Sequence, residues 1–197
     1  PGPCMGRCQN APTVCVGKNY IDKATSSDVL NAIKNKKFET TIPNYVSHEE
    51  YKKNGGYRVS NRVNNGISKN EVINILNNSG LKGKGGAGFP TGKKWEIVSK
   101  FTGQKFIAIN GDEGEPGTFK DRHYLESDPH RFLEGALIAS KFLNAEKVYI
   151  YMRDEYPASI YILKKEILKL EKEKIIAKNY FIIRRGAGAY ICGEESA

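Results

Sequence analysis

The sequence predicts an α/β layer structure in which a mainly parallel sheet carries helices on its flanks. Short apolar runs at 106–109, 148–152 and 181–183 have the length of strands, and segments of helical period stand between them. Alternation of that kind builds parallel sheets through crossover connections. Composition agrees: of 197 residues, 39% are hydrophobic and 27% charged, enough to build a core and too apolar for wholesale disorder. Punctuation agrees too, because many of the 20 glycines cluster in a few turns. No run approaches the roughly 20 apolar residues of a spanning helix, so direct membrane insertion is not expected.

Residues 1–38 form a first block. Cys4 and Cys8 lie in a Gly/Pro-rich loop, 13–16 read as a short strand ended by Gly17, and Ser26 or Ser27 caps a helix whose Val29, Leu30 and Ile33 share one face. Segment 39–66 is polar and carries Pro43, Gly55-Gly56 and Asn64-Asn65-Gly66, which predicts a linker or extended crossing segment. The main block runs over 67–197. Its first helix starts at Ser68-Lys69-Asn70-Glu71, a capping-box pattern, continues through Val72, Ile73, Ile75 and Leu76, and stops at Gly80. A short helix around 95–100 precedes the strand at 106–109, which reads as buried. Asp128 and Pro129 are the N-cap and first residue of a helix with Phe132, Leu133, Ala136, Leu137 and Ser140 on one face. Segment 157–173 is an amphipathic helix, with Ile160, Leu163, Ile167 and Leu170 inward and lysines outward. The chain opens without Met and stops in polar residues after a glycine-rich turn, which reads as a piece of a longer protein.

Lysine plus arginine outnumber aspartate plus glutamate by 31 to 22, a net charge of +9. A nucleic-acid surface needs such charge clustered. Here the lysines are scattered among acids with no polybasic block, so no nucleic-acid partner is expected.

Three turns carry the chemistry. Gly83-Lys84-Gly85-Gly86-Ala87-Gly88-Phe89-Pro90-Thr91-Gly92 lets backbone amides approach an anion without a Cβ in the way. It follows a helix, which is the wrong context for a dinucleotide fingerprint, and three residues between Gly88 and Gly92-Lys93 break the Walker spacing. Asn110-Gly111-Asp112-Glu113-Gly114-Glu115 stands at the carboxyl end of a strand, where open α/β sheets bind ligands. Gly186-Ala187-Gly188-Ala189-Tyr190-Ile191-Cys192-Gly193-Glu194-Glu195 follows the strand at 181–183 and belongs to the same edge. Their convergence predicts a cofactor pocket. Cys4-x-x-x-Cys8 suits neither a zinc ribbon nor a thioredoxin redox pair; it reads either as half of an iron–sulfur ligand set or as two unrelated thiols. His48, His123 and His130 are isolated and read as surface or capping residues.

The stretches 80–95, 110–122 and 186–195, in this order, closely resemble the family of NADH-binding flavoprotein subunits of respiratory complex I. They equally resemble its relatives in NAD-dependent formate dehydrogenases, as the beta subunit, and in NAD-linked hydrogenases. The Asn110–Gly114 form, with Asp128-Pro129-His130-Arg131-Phe132-Leu133-Glu134-Gly135 and segment 149–157, is most similar to the formate dehydrogenase and hydrogenase branch. Segment 4–16 resembles the second half of the thioredoxin-like [2Fe–2S] domain fused in front of some members of that branch, which makes 1–38 the end of such a domain.

The resemblance implies a Rossmann-like FMN- and NADH-binding domain over 67–197. It places Gly83, Gly85, Gly86 and Gly88 beside flavin and dinucleotide, and Lys94, Asn110, Asp112, Tyr190 and Glu194 against FMN. Phe89, Glu115 and Glu195 would contact NADH, with Glu115 accepting from the nicotinamide amide, and Ile97 stands where complex I members carry a second aromatic. Cys4 and Cys8 would ligate a [2Fe–2S] cluster with ligands outside this sequence, and [4Fe–4S] cysteines would lie beyond Ala197. The implied activity is NADH:acceptor oxidoreduction, in which hydride passes directly between cofactors with no catalytic side chain and single electrons pass to or from iron–sulfur clusters. The implied partners are NAD(H) and other iron–sulfur subunits of a multisubunit dehydrogenase. The implied location is the bacterial cytoplasm, peripheral to the membrane through those subunits. An electron-transfer or assembly subunit with a degenerate flavin site is the alternative. Formate, hydrogen or quinone as the other redox partner stays open.

Overall fold

The computed structural model describes residues 4–84 and 86–193. Strands β1 (Val14–Val16) and β2 (Asn19–Ile21) form an antiparallel hairpin. Gly17 turns it at φ +67°, where a Cβ would meet Phe38 at 2.9 Å, so the turn requires glycine. Helix α1 (Ser26–Lys34) is capped by Thr25, one residue ahead of the serines expected to do so. Thr25 Oγ1 accepts from the Asp28 N–H and the Asp28 carboxylate accepts from the Thr25 N–H, a reciprocal box.

Segment 39–66 is not a linker throughout. Residues 40–47 lack regular structure, but α2 (His48–Lys53) and α3 (Arg58–Asn64) fill the remainder. Ser47 caps α2, accepting from the Glu50 N–H at 3.3 Å. The residue ahead of α3, Tyr57, sits at φ +63° and offers no capping side chain. Its place is taken by Glu134, whose carboxylate accepts from the N–H groups of Tyr57 at 2.8 Å and Ser60 at 3.0 Å and from the Tyr51 hydroxyl at 2.7 Å. These contacts fold the segment into the core, where Tyr57 is buried.

Helices α4 (Lys69–Asn78) and α5 (Thr91–Ser99) pack together, and Ser68 caps α4 by accepting from the Glu71 N–H at 3.2 Å. Then follow β3 (Phe106–Gly111), α6 (Lys120–Ser127), α7 (Pro129–Leu143), β4 (Lys147–Met152), α8 (Pro157–Lys172) and β5 (Phe181–Arg185). The three strands are parallel in the order β3-β4-β5, with Ile109 beside Ile150 and Ile150 beside Ile183. Because the order never reverses, right-handed crossovers put α6, α7 and α8 on one face. That face forms the core: Val148, Ile150 and Met152 of the central strand are fully buried against Leu133, Leu137, Leu163 and Leu170. Strand β3 is not buried as expected. Among the described residues it is an edge strand, with Phe106, Ala108 and Asn110 exposed on the face that carries no helix. A smaller cluster joins Val72 of α4 and Phe142 of α7, with the Trp95 ring 5.3 Å from that of Phe142.

Helix α6 lies where no helix was expected, and its N-terminus repeats the device of α3. Phe119 precedes it without capping, and the buried Glu113 carboxylate accepts instead from the N–H groups of Asp121 at 2.8 Å and Arg122 at 3.4 Å. The acceptor also opposes the positive end of the helix dipole.

Two histidines expected at the surface are fully buried: His48 and His130 are both at 0% exposure. His130 Nδ1 lies 2.7 Å from the Tyr57 hydroxyl, and its Nε2 lies 2.8 Å from Glu166. His48 Nδ1 is 2.9 Å from Glu173 without hydrogen-bond alignment. Burial lowers the His48 pKa from its ordinary 6.5, more than Glu173 raises it. The unfolded chain therefore binds the extra proton, so this contribution is present above about pH 6.5 and is lost as pH falls towards the lower folded value. The melting temperature is expected to drop as pH goes from 7 to 5, and His48→Gln should flatten that part of the curve in calorimetry.

Candidate functional site at the carboxyl edge of the sheet

The acidic turn begins where β3 ends. A Cβ on Gly111 would come 2.7 Å from Met152 Sδ and 2.8 Å from the Tyr151 carbonyl, so the strand can close against β4 only without a side chain there. Gly111→Ala is expected to cost about 1–3 kcal/mol by overpacking and to displace the turn that follows. Urea denaturation checks it.

Within the turn, Asn110 Oδ1 accepts from the Asp112 N–H at 2.9 Å, and the Gly114 N–H donates to the Asp112 carbonyl at 3.0 Å. The three carboxylates differ in environment. Glu113 is buried and occupied with α6 and with the Tyr156 hydroxyl, which donates to it at 3.0 Å. Asp112 is half-buried, and burial raises its pKa while the Arg153 charge opposes the rise. Glu115 is exposed.

The segment after β4 brings Arg153, Glu155 and Tyr156, all buried, behind that turn. Arg153 donates to the Glu113 carbonyl and lies 4.9 Å over the Tyr156 ring. Sequence reasoning missed this cluster, although the carboxyl end of a strand is where a functional arginine is to be looked for. The turn after β5 joins the same edge: the Gly186 N–H donates to the Met152 carbonyl at 2.7 Å, and a Cβ on Gly188, at φ +75°, would lie 3.7 Å from Glu155. A hydrogen bond with Cys192, from the short helical turn Tyr190–Gly193, raises the Tyr151 pKa. A cavity of about 280 Å³ lies against the acidic turn, lined by Asn110, Gly111, Asp121, Tyr124 and Met152. A second, of about 460 Å³, separates the β1–β2 hairpin from this edge, between Lys18, Tyr20, Asp154, Arg185 and Gly188.

The structure thus gathers Asn110, Asp112 and the turn at 186–188 at one edge. The glycine loop before α5 is not brought into either cavity among the described residues. It closes on itself, with the Gly83 N–H donating to the Phe89 carbonyl at 3.0 Å. Gly86 and Gly88 have positive φ, and a Cβ on either would meet nothing within 4 Å. Phe89 and Lys94 are exposed. Gly85, Glu194 and Glu195 lie outside the described residues. Cys4 is half-buried and Cys8 exposed, both as free thiols. His48, Glu49 and Glu173 place ligand atoms within 4.8 Å of one another, but Lys169 and Lys52 already hold the two carboxylates.

Residues 76–197 match the family described as the Nuo51 FMN-binding domain. The chain belongs to this family. Among relatives, an NADH-quinone oxidoreductase subunit of Aquifex aeolicus is 45% identical over 163 residues, covering 79% of this chain and 38% of its own. The mitochondrial NADH dehydrogenase [ubiquinone] flavoprotein 1 of Dictyostelium discoideum is 38% identical, covering 78% of this chain and 35% of its own. A crystal structure of an NAD+-reducing [NiFe]-hydrogenase in the air-oxidized state superposes with a TM-score of 0.78 at 26% identity, over 99% of this chain and 36% of that one. The chain thus spans less than two fifths of the length of each of these proteins. No helix among the described residues is long and apolar enough to cross a membrane.

Proposed function

We propose that this chain is the flavin- and NAD(H)-binding part of a multisubunit NADH:acceptor oxidoreductase. The observation that carries the reading is the carboxyl edge of the sheet, where the acidic turn and the turn after β5 flank the end of β4 inside the segment matched to an FMN-binding family. The structural likeness to the hydrogenase chain extends over 99% of these residues, which favours the branch with a fused N-terminal segment over the quinone-linked one. Formate remains a candidate co-substrate of that branch beside hydrogen.

The residues present suit a flavin. Its ring edge offers alternating hydrogen-bond donors and acceptors, and Asn110 and Asp112 at the strand end bring an amide and a half-buried carboxylate. Gly86 and Gly88 leave open space above the backbone, so a flat ring or a phosphate can approach main-chain amides. FMN seated there would supply hydride acceptance from NADH and one-electron release to iron–sulfur centres. The chain's own residues orient and hold. Lys94 contributes positive charge toward phosphate or flavin, Phe89 presents an exposed ring for stacking, and Glu115 accepts from the carboxamide of the nucleotide. Tyr190 and Glu194 would add contacts to FMN, Glu195 to NADH, and Gly83 and Gly85 would lie beside flavin and dinucleotide, as the family resemblance implies. Hydride transfer needs alignment rather than a protein acid or base. The expected result for the intact protein is a flavin spectrum and NADH–ferricyanide activity; a colourless protein that releases no FMN overturns the reading.

A further inference from the structure

The cluster behind the acidic turn reaches further than capping α6 requires. Arg153 is 3% exposed, and its guanidinium donates to two main-chain carbonyls, from Nη1 to Glu113 in the acidic turn and from Nη2 to Cys4 in the cysteine loop. Its Nε lies 3.4 Å from Glu155. Tyr156, 1% exposed, closes the other side. Its hydroxyl donates to Glu113 at 3.0 Å, and Gly6 of the cysteine loop rests against it at φ +61°, where a Cβ would come within 2.6 Å of the hydroxyl. The loop that bears Cys4 and the turn that bears Asp112 are therefore fastened to the same two side chains. A planar guanidinium with donors in a rigid fork can hold two carbonyls at a set separation, whereas an ammonium on a flexible stem cannot.

We propose that Arg153 is a positioning residue that, with Tyr156, fixes the cysteine loop against the acidic turn, so that a redox group ligated by Cys4 and Cys8 is held at a set distance from a flavin at that turn. The inference rests on the functional reading above. The donor set fits an iron–sulfur group in part: two thiols in one loop, of the kind that ligate such clusters as thiolates, with further ligands supplied from elsewhere. Loaded with both groups, the protein would take two electrons with the hydride from NADH and pass them on singly, each reducing one ferric ion of the cluster to ferrous. Electron transfer weakens steeply with distance, so a loosened loop slows this step and leaves hydride transfer alone.

The test uses the intact protein loaded with flavin and iron–sulfur. In Arg153→Lys, hydrogen exchange of amides 4–8 and 112–115 is expected to rise about tenfold, since one buried and one half-buried hydrogen bond lose their common donor. Mixed with NADH in a stopped flow, the variant should bleach its flavin at the wild-type rate, while cluster reduction followed by freeze-quench EPR slows about tenfold. Gly6→Ala loosens the loop from its own side: it should raise exchange at 4–8 and slow cluster reduction about equally. Unchanged exchange in both segments, or bleaching and cluster reduction that slow together, overturns the proposal. A wild-type protein that lacks flavin, or whose flavin NADH does not bleach, overturns the functional reading instead, and the exchange measurement still judges the fastening.

Discussion

Glu134→Ala is expected to lower stability by about 4 kcal/mol, because it strands two buried donors, each costing about 1–3 kcal/mol, and a half-buried third, with incomplete additivity. Two of them are the N–H groups of Tyr57 and Ser60 at the start of α3, and the third is the Tyr51 hydroxyl. In a chain of this size the loss corresponds to a fall in melting temperature of about 8–16 °C. Glu134→Gln keeps one acceptor oxygen and should lose about half as much, and Tyr51→Phe about 1 kcal/mol. The exposed Glu146→Ala is the control and should stay within about 0.5 kcal/mol. Equal midpoints for the alanine variant and wild type would show that α3 stands without its remote cap.

That same remoteness explains what the sequence hid. Helices α4 and α7 were legible because their caps are local: Ser68 stands three residues before Glu71, and Asp128 with Pro129 marks the start of α7. The inward faces of α7 and α8 were legible because apolar spacing of helical period survives in the chain as written. Helices α3 and α6 follow Tyr57 and Phe119, which announce nothing, and take their acceptors from Glu134 and Glu113. Glycine and asparagine pairs then dominated the reading of 39–66, even though Ser47 and Glu50 display a start signal there. The exposed face of β3 was hidden for a different reason: an apolar run does not tell whether a strand has one neighbour or two. At the candidate site, the place of Asn110 and Asp112 at a strand end was legible because glycines interleave them after an apolar run. Arg153 was not, since an arginine alone in sequence reads as surface, and only the fold shows that two carbonyls and a tyrosine ring enclose it.

Glu115→Gln should separate nucleotide binding from flavin binding. Its carboxylate is exposed on the acidic turn, whereas Asp112 is half-buried closer to the strand end. A charged acceptor on an amide donor contributes about 1.5–3 kcal/mol, or roughly 10- to 100-fold in affinity. Because Glu115 is exposed, the effect should fall nearer tenfold. The variant is therefore expected to retain its full flavin content while the NADH dissociation constant, measured by titrating flavin bleaching, rises about tenfold. Asp112→Asn should behave oppositely under the proposed role of this half-buried carboxylate as a flavin contact: FMN should be released on dilution, with NADH affinity preserved in the fraction that stays loaded. If Glu115→Gln loses flavin and Asp112→Asn weakens only NADH, the roles of the two carboxylates are exchanged, and the ring lies on the outer side of the turn rather than against the sheet.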